Sequence, residues 1–315
     1  MTLASHIDAR PDGRRRVLAG VWRLVDPKIS LASIASLTLG TLAAARDGAL
    51  AYGWLAVTVV AILAIEAAKN ASGDIIDFDS GVDLDIRPEE RSPFSGGKRV
   101  IVDGLLTRRD TAIVAAATYA AGIAGGVAIA LLREPRVWLP GLVGVACAFF
   151  YHTPPLRLSY RGFGEIAVAA CYGPLVACGA YLVQRGSVQG PVIPLSILLG
   201  VLIAAFLCVN EFPDRRADAA AAKRTLVVRL GAHRAGTAFA WLETMPFVAL
   251  AALPLLGAPL GVLAGLAGVW PARRATRALP RAGDDVARII PAQVDALRAF
   301  ALFALGAGLG LLLLP

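Results

Sequence analysis

The sequence is poor in the residues on which several protein classes depend. It has four cysteines and three histidines in 315 residues, and no two cysteines stand in a Cys-x-x-Cys spacing. This scarcity argues against a zinc site, a disulfide framework or a histidine-bound haem. Charged residues make up only 17% of the chain, whereas hydrophobic residues make up 57% and the mean hydropathy is +0.65. Such a composition excludes an ordinary soluble domain.

Long apolar runs make up most of the sequence. A helix needs about 20 residues to cross a hydrocarbon core of ~30 Å, and nine runs of that length or slightly less occur, at about 29–45, 49–68, 110–132, 137–151, 164–183, 191–209, 234–255, 257–270 and 295–314. The sequence therefore predicts an all-α, polytopic membrane protein with about nine transmembrane helices. We divide it into an N-terminal segment, 1–28, and one membrane domain, 29–315, made of two four-helix halves and a ninth helix.

The positions of the basic residues predict the orientation. The formal net charge is +8, but all Lys and Arg residues except Arg46, Arg133, Arg136 and Arg185 fall on one side of the nine-span map. By the positive-inside rule that side is cytoplasmic. We therefore expect a bacterial-type cytoplasmic membrane protein with its N-terminus and long loops in the cytoplasm and its C-terminus opposite. Because topology accounts for the charge, we expect no nucleic-acid partner.

Two acidic clusters follow the second and sixth runs. In the first, Asn70, Asp74 and Asp77 share one helical face, and Asp83 can reach back from a turn at Gly81. The even number of spans between the two clusters brings both to the same membrane face.

In the second cluster, Asn210, Asp214 and Asp218 repeat every four residues, and Pro213 predicts a kink or break among them. Carboxylates gathered near lipid need a counter-charge. Mg²⁺, which is typically held by one or two carboxylates together with substrate phosphates, can supply it.

Basic residues suited to phosphate follow each cluster. Arg91 and Lys98 come after the first, and Lys223 and Arg224 come after the second. Arginine offers a planar fork and lysine a point charge to phosphate oxygens. We assign the neighbouring arginines, Arg99 and Arg216 among them, only to the topological charge bias.

These motifs in this order resemble those of the UbiA superfamily of intramembrane prenyltransferases, most closely the 1,4-dihydroxy-2-naphthoate polyprenyltransferases of menaquinone biosynthesis. The resemblance covers nearly the whole chain. It rests on the segments 74–83, 91–96, 151–162 and 210–226, which include Tyr151-His152-Thr153-Pro154-Pro155-Leu156-Arg157 and Lys223-Arg224-Thr225-Leu226.

The resemblance implies helices around a central cavity, with Mg²⁺ and an isoprenyl diphosphate at its cytoplasmic mouth. It implies metal ligands, direct or through water, at Asp74, Asp77, Asp83, Asp214 and Asp218, with Asn210 in support. Asp74, Asp77, Asp214 and Asp218 would carry catalysis, Arg91, Lys98, Lys223 and Arg224 would contact the diphosphate, and Asn70, Tyr151 and Arg157 would face the acceptor or the cavity.

The first motif departs from the family pattern, which usually opens with Asn-Asp. Here Gly73 precedes Asp74, and the nearest asparagine is Asn70. An alternative register aligns Asn70 and Asp74 with Asn210 and Asp214, leaving Ala71 where an aspartate belongs.

Three functions follow as hypotheses. The first is Mg²⁺-dependent transfer of a prenyl group from an isoprenyl diphosphate to an aromatic or quinone-precursor acceptor. The second is an intramembrane terpene cyclase on the same scaffold, which uses the diphosphate without an acceptor. The third is a non-enzymatic cation carrier, which leaves the pair Lys223 and Arg224 unexplained.

Overall fold

The computed structural model describes residues 13–314, so the first twelve residues of the predicted segment 1–28 lie outside the described residues. The helices are α1 (Gly13–Val25), α2 (Leu31–Arg46), α3 (Tyr52–Ser80), α4 (Val82–Asp85), α5 (Arg108–Leu132), α6 (Trp138–Phe150), α7 (Gly164–Ala170), α8 (Val176–Arg185), α9 (Val192–Ala220), α10 (Leu226–Ala252), α11 (Val269–Ala282) and α12 (Val286–Leu313). The predicted all-α class is confirmed, since residues 13–314 contain no strand.

Six helices of the described chain are long and apolar enough to cross a membrane. They are Tyr52–Ser80, Arg108–Leu132, Gly164–Arg185, Val192–Ala220, Leu226–Leu256 and Val286–Leu313. Two shorter apolar helices, Leu31–Arg46 and Pro135–Phe150, accompany them. The predicted polytopic membrane architecture is therefore confirmed, whereas the count of nine spans is not.

Helices α3 and α9 extend beyond their apolar runs and carry the acidic clusters as helical structure. Helix α9 continues through Pro213 to Ala220, so it is not broken there. The local break lies instead in α10 at Gly231, whose φ of 73° and ψ of 158° are non-helical. Pro213 and its helical neighbours Val209 and Ala217 are buried in the bundle, where tertiary packing can offset the one backbone hydrogen bond that proline removes.

The core of the bundle forms around α12 and α9. Helix α12 packs against α2, α9 and α11, and α9 also packs against α7 and α10. Phe300 and Phe303 of α12 are fully buried, and Phe206 of α9 meets Phe300 edge to face with ring centroids 5.5 Å apart.

Small residues allow α9 to approach the Gly164–Arg185 helix closely. A Cβ on Gly173 would lie 2.8 Å from the Cα of Gly200, and a Cβ on Gly200 would clash with the carbonyl oxygen of Ala169. Neither helix can retreat without opening the core, so this contact fixes how the two helices sit together.

We predict that Gly200→Ala destabilises the bundle. The added methyl group meets backbone, which cannot rotate away, so overpacking should cost about 1–3 kcal/mol and lower the melting temperature in detergent. Gly236→Ala is the matched control, because a Cβ on that helical glycine has no atom within 4 Å and alanine favours helix. Equal melting temperatures for the two variants would contradict the proposed close contact.

Candidate active site

The first acidic cluster lies on one face of α3 and along the short turn that follows. Asn70, Asp74 and Asp77 line one polar cavity of about 620 Å³, as their shared helical face predicts. Gly81 ends α3 in the left-handed conformation (φ 82°) and allows the chain to turn into α4. This turn places Asp83 back against the bundle with only 1% of its surface exposed, as predicted.

The second acidic cluster lies at the end of α9. Asp214 lines the same cavity as the first cluster, and Asn210 and Asp218 are buried beside it along the helix. The Thr225 hydroxyl then caps α10 by accepting a hydrogen bond from the Val228 N–H at 3.4 Å. The tight connection 221–225 returns Lys223 towards α9.

Lys223 joins the two clusters. Its Nζ lies 3.3 Å from Asp218 Oδ1 and 3.9 Å from Asp77 Oδ2. Burial opposes the charged form, but Asp218 and Asp77 outweigh it and hold the pKa of Lys223 well above its usual value. The two motifs therefore meet at one end of the bundle, bridged by a permanent positive charge.

Several oxygen atoms of the two motifs are buried without a hydrogen-bond partner. They are both carboxylate oxygens of Asp83 and one side-chain oxygen each of Asn210 and Asp214. Asp218 Oδ1 likewise accepts no hydrogen bond but is ion-paired with Lys223. Burial and then the charges of Asp77 and Asp74 raise the pKa of Asp83 to about 8. Oxygen-only donors that lack partners suit a hard cation such as Mg²⁺.

The same oxygens are nevertheless not gathered into a finished metal site. Within residues 13–314, no three His, Cys, Asp or Glu side chains stand together closely enough to hold a metal ion. Lys223, between Asp77 and Asp218, supplies part of the counter-charge in this arrangement.

Asp74 and Arg99 hold the loop that closes the first motif. The Val100 and Ile101 backbone N–H groups donate to the two carboxylate oxygens of Asp74, at 3.0 and 3.3 Å. The Arg99 guanidinium donates to the carbonyl oxygen of Asp83 and lines the polar cavity. Assigning Arg99 to charge bias alone is therefore wrong, because the side chain is buried in the site.

The four predicted diphosphate contacts do not all lie together. Arg91 and Lys98 line the polar cavity, with Lys98 ion-paired to Asp26. Lys223 sits between the motifs, as described above. Arg224 is exposed, does not line that cavity, and uses its backbone N–H to donate to the Tyr160 carbonyl at 2.9 Å.

An aromatic segment between α6 and α7 closes the other side of the site. The Tyr160 hydroxyl donates to Asp77 Oδ1 at 2.6 Å, and Arg157 stacks on the Tyr160 ring at 4.2 Å from its centroid. Tyr160 and His152 both lie in the segment 151–162, but the sequence alone predicts no role for either side chain. A hydroxyl that donates to a buried carboxylate fixes its orientation, so Tyr160 positions Asp77.

His152 occupies the space beside Gly73. Its Nδ1 lies 4.0 Å from Asp77 Oδ1, and a Cβ on Gly73 would lie 2.8 Å from its Nε2. Burial lowers the pKa of His152 to about 4, although Asp77 opposes that shift. The ring is therefore neutral at physiological pH, and a larger residue at position 73 would displace it.

A second cavity, of about 320 Å³, is lined mostly by apolar side chains. Tyr151 lines it together with aliphatic residues of α3, α5, α6 and α8. Tyr151 and His152 are neighbours in the chain, and each lines a different cavity. Adjacent residues of one segment thus contribute to an apolar and to a polar cavity.

Arg216 fastens the first motif to the second. Its guanidinium donates to Glu90 Oε2 at 2.8 Å and to Asp85 Oδ2 at 2.7 Å. Arg216 lies on α9, Asp85 is the last residue of α4, and Glu90 lies in the loop that follows. This planar fork therefore ties the start of the loop 86–99 to α9. Arg216, like Arg99, has more than a topological role.

We predict that Arg216→Ala loosens this loop. The fork is a direct side-chain link between α9 and this loop, so amide hydrogen exchange across 86–99 should quicken in detergent, as followed by mass spectrometry. Arg215→Ala is the matched control, because the neighbouring Arg215 pairs with Asp284 away from the loop. Unchanged exchange in Arg216→Ala would show that the fork does not restrain the segment.

Comparison with known proteins gives consistent results. A profile of the UbiA prenyltransferase family matches residues 33–297. The 1,4-dihydroxy-2-naphthoate octaprenyltransferase of Mycobacterium tuberculosis is 31% identical over 74% of this chain and 80% of its own length. The chloroplastic 2-carboxy-1,4-naphthoquinone phytyltransferase of Arabidopsis thaliana is 27% identical over 75% of this chain and 61% of its own length.

Solved structures share the fold at low identity. A UbiA homolog from Archaeoglobus fulgidus, solved with GPP and Mg²⁺ bound, aligns with a TM-score of 0.64 and 15% identity over 90% of this chain and 99% of its own. The apo UbiA homolog from Aeropyrum pernix aligns with a TM-score of 0.63 and 16% identity, over 89% of this chain and 96% of its own. The predicted family and enzyme class are therefore confirmed: the chain is an integral membrane protein that belongs to the UbiA prenyltransferase family.

Proposed function

We propose that this protein transfers a prenyl group from an isoprenyl diphosphate to an aromatic acceptor of the naphthoate type, with Mg²⁺ as cofactor. The observation that carries the proposal is the approach of Lys223 to both Asp77 and Asp218, because it unites the two aspartate motifs in one site. The acceptor class is supported by relatives that are named for a naphthoate or a naphthoquinone.

Mg²⁺ would be held by the unpartnered oxygens of Asp83 and Asp214, together with Asp77 and Asp218 and with Asn210 in support. Asp74 would join them directly or through water, since each of its oxygens accepts one backbone hydrogen bond and keeps a second lone pair. When bound, Mg²⁺ supplies the positive charge that stabilises the leaving oxygens of a diphosphate.

The diphosphate itself would lie in the polar cavity. Arg91, Lys98 and Arg99 line this cavity, and the Lys223 ammonium lies 3.9 Å from Asp77, which also lines it. Donors that are fixed before the reaction stabilise charge as it builds on the leaving group. Arg224, whose side chain is exposed and does not line this cavity, would contact the diphosphate only from outside it.

The apolar cavity would shield the reacting carbon and the tail. An allylic cation must be kept from water until the acceptor ring captures it, and a dry wall of aliphatic side chains does this. The ring then loses a proton or its carboxylate, and the released diphosphate or water can take up the proton. Tyr151 stands at this wall, whereas Arg157 is stacked on Tyr160 and supports the site from behind.

We further propose that the site opens towards the cytoplasm. Both motifs and the basic residues that follow them lie at the end of the bundle that carries most of the Lys and Arg residues. By the positive-inside rule, that end would face the cytoplasm.

We predict that Asp77→Ala lowers kcat/KM for geranyl diphosphate by at least about a hundredfold. Asp77 lies 3.9 Å from Lys223 and accepts the Tyr160 hydrogen bond, so its loss removes a carboxylate shared by both parts of the site. Asp214→Ala should behave similarly. The assay follows diphosphate release and product mass with Mg²⁺, with and without 1,4-dihydroxy-2-naphthoate. Asp79→Ala is the matched control, since Asp79 is exposed on the same helix and pairs with Arg108.

Three outcomes of that assay separate the hypotheses. Release that requires the acceptor and gives a prenylated product supports the transferase. Acceptor-independent release with a hydrocarbon product would favour the cyclase. No release under any condition, or full activity in Asp77→Ala, would contradict the proposed site.

We also predict that removal of divalent metal abolishes turnover reversibly. EDTA should stop diphosphate release, and excess Mg²⁺ should restore it, because the buried carboxylates need a counter-charge before a diphosphate can enter. The folded protein should persist through the treatment, since Lys223 continues to bridge Asp77 and Asp218. Circular dichroism and size-exclusion chromatography in EDTA check this, and turnover that persists in EDTA would contradict the metal assignment.

A further inference from the structure

A second polar cluster stands at one end of the apolar cavity, away from the aspartate motifs. Glu66 accepts hydrogen bonds from the Ser33 hydroxyl at 2.7 Å and from the Tyr172 hydroxyl at 2.9 Å. The Lys69 ammonium donates to the same Tyr172 hydroxyl at 3.2 Å. All four side chains line the apolar cavity. An ordered polar group in an otherwise apolar pocket is typical of a site that orients a small molecule.

Lys69 has hydrogen-bonding capacity that the protein does not use. An ammonium has three N–H donors, and Lys69 uses one of them to donate to the Tyr172 hydroxyl. In the described part of the chain, Lys69 forms no ion pair with a carboxylate, whereas Lys98 and Lys223 each form at least one. Both oxygens of Glu66 are already engaged by hydroxyls. A cation in an apolar pocket without an ion-paired anion is unfavourable, so the vacant donors suit an anionic ligand.

Two aromatic rings flank this cation. The Lys69 Nζ lies 5.6 Å from the centroid of the Tyr151 ring and 5.6 Å from that of the Tyr172 ring. The rings offer faces and edges against which a flat aromatic ligand can stack. The same small region therefore provides a charge for an acid and two surfaces for a ring.

The cluster also stands at a suitable distance from the aspartates. Lys69 and Asp77 are eight residues apart on α3, which is about 12 Å along a helix axis. Tyr151 adjoins His152, and His152 lies within 4.0 Å of Asp77. A ligand whose acid group meets Lys69 can therefore extend its ring towards the polar cavity.

We propose that Lys69 binds the carboxylate of an aromatic acid acceptor, with Tyr151 and Tyr172 flanking the ring and Glu66 fixing the Tyr172 hydroxyl. Lys69 and the tyrosines are then specificity-determining residues, and Glu66 and Ser33 are positioning residues. This inference rests on the proposed transferase function and adds where its acceptor binds and which chemical group is recognised.

The test compares an acid with its uncharged ester. The probes are 1-hydroxy-2-naphthoate and its methyl ester, whose binding to the full-length protein in detergent is followed by probe fluorescence. We expect the wild type to prefer the acid, and Lys69→Met to lose about tenfold or more in affinity for the acid with little change for the ester. Lys69→Arg should retain much of the preference, because it keeps the charge.

Kinetics with a matched lysine variant complete the test. Lys69→Met should raise KM for 1,4-dihydroxy-2-naphthoate and leave KM for geranyl diphosphate unchanged. Lys98→Met should do the reverse, because Lys98 lines the other cavity. If Lys69→Met weakens acid and ester equally, or changes neither, the inference is wrong.

Failure of the inference can be distinguished from failure of the proposed function. A wild type that prenylates the acid but binds acid and ester equally would overturn the role of Lys69 while the transferase assignment stands. A wild type without acceptor-dependent turnover would overturn the function, and the fluorescence comparison would still decide whether Lys69 recognises an aromatic carboxylate. If Lys69→Met does not fold, the wild-type preference and Lys69→Arg decide the question.

Discussion

The attraction between Lys223 and the carboxylates of Asp77 and Asp218 is the interaction on which the rest of the site depends. Asp77 lies in the last turn of α3 and Asp218 in the last turn of α9, and like charges placed close together repel each other in a region of low polarity. The ammonium lies 3.9 Å from Asp77 and 3.3 Å from Asp218, so its positive charge offsets that repulsion. The Arg216 fork and the Asp74 anchor then fix the loop between them. Each of these contacts joins the first motif to another part of the chain.

Much of the fold follows from features that are local in the sequence. The apolar runs predict the helices because a segment in lipid must satisfy its own backbone hydrogen bonds. The four-residue spacing of Asn210, Asp214 and Asp218 predicts one helical face, and Gly81 predicts the turn that returns Asp83. The even number of spans between the two acidic clusters predicts that both lie at the same membrane face. Pro213 shows the limit of such reasoning, because the packing of its neighbours keeps α9 continuous.

The remaining features depend on contacts between distant segments. Nothing local in Tyr160 indicates that its hydroxyl reaches Asp77, which lies 83 positions earlier. Gly73, a departure from the usual motif, is explained only when the His152 ring is seen against it. Glu66 lies in an apolar run of α3, and its partners Ser33 and Tyr172 come from two other helical segments. These contacts form through tertiary packing between distant segments, and no local pattern in a single sequence indicates them.

The adjacency of Tyr151 and His152 has a consequence for how substitutions in this segment are interpreted. Tyr151 lines the apolar cavity and His152 the polar one, and the two rings meet edge to face with centroids 4.8 Å apart. A change in the bulk of either ring would therefore alter the lining of both cavities at once. Activity lost in a variant at position 151 or 152 would then report on both reactants, and not on one pocket alone.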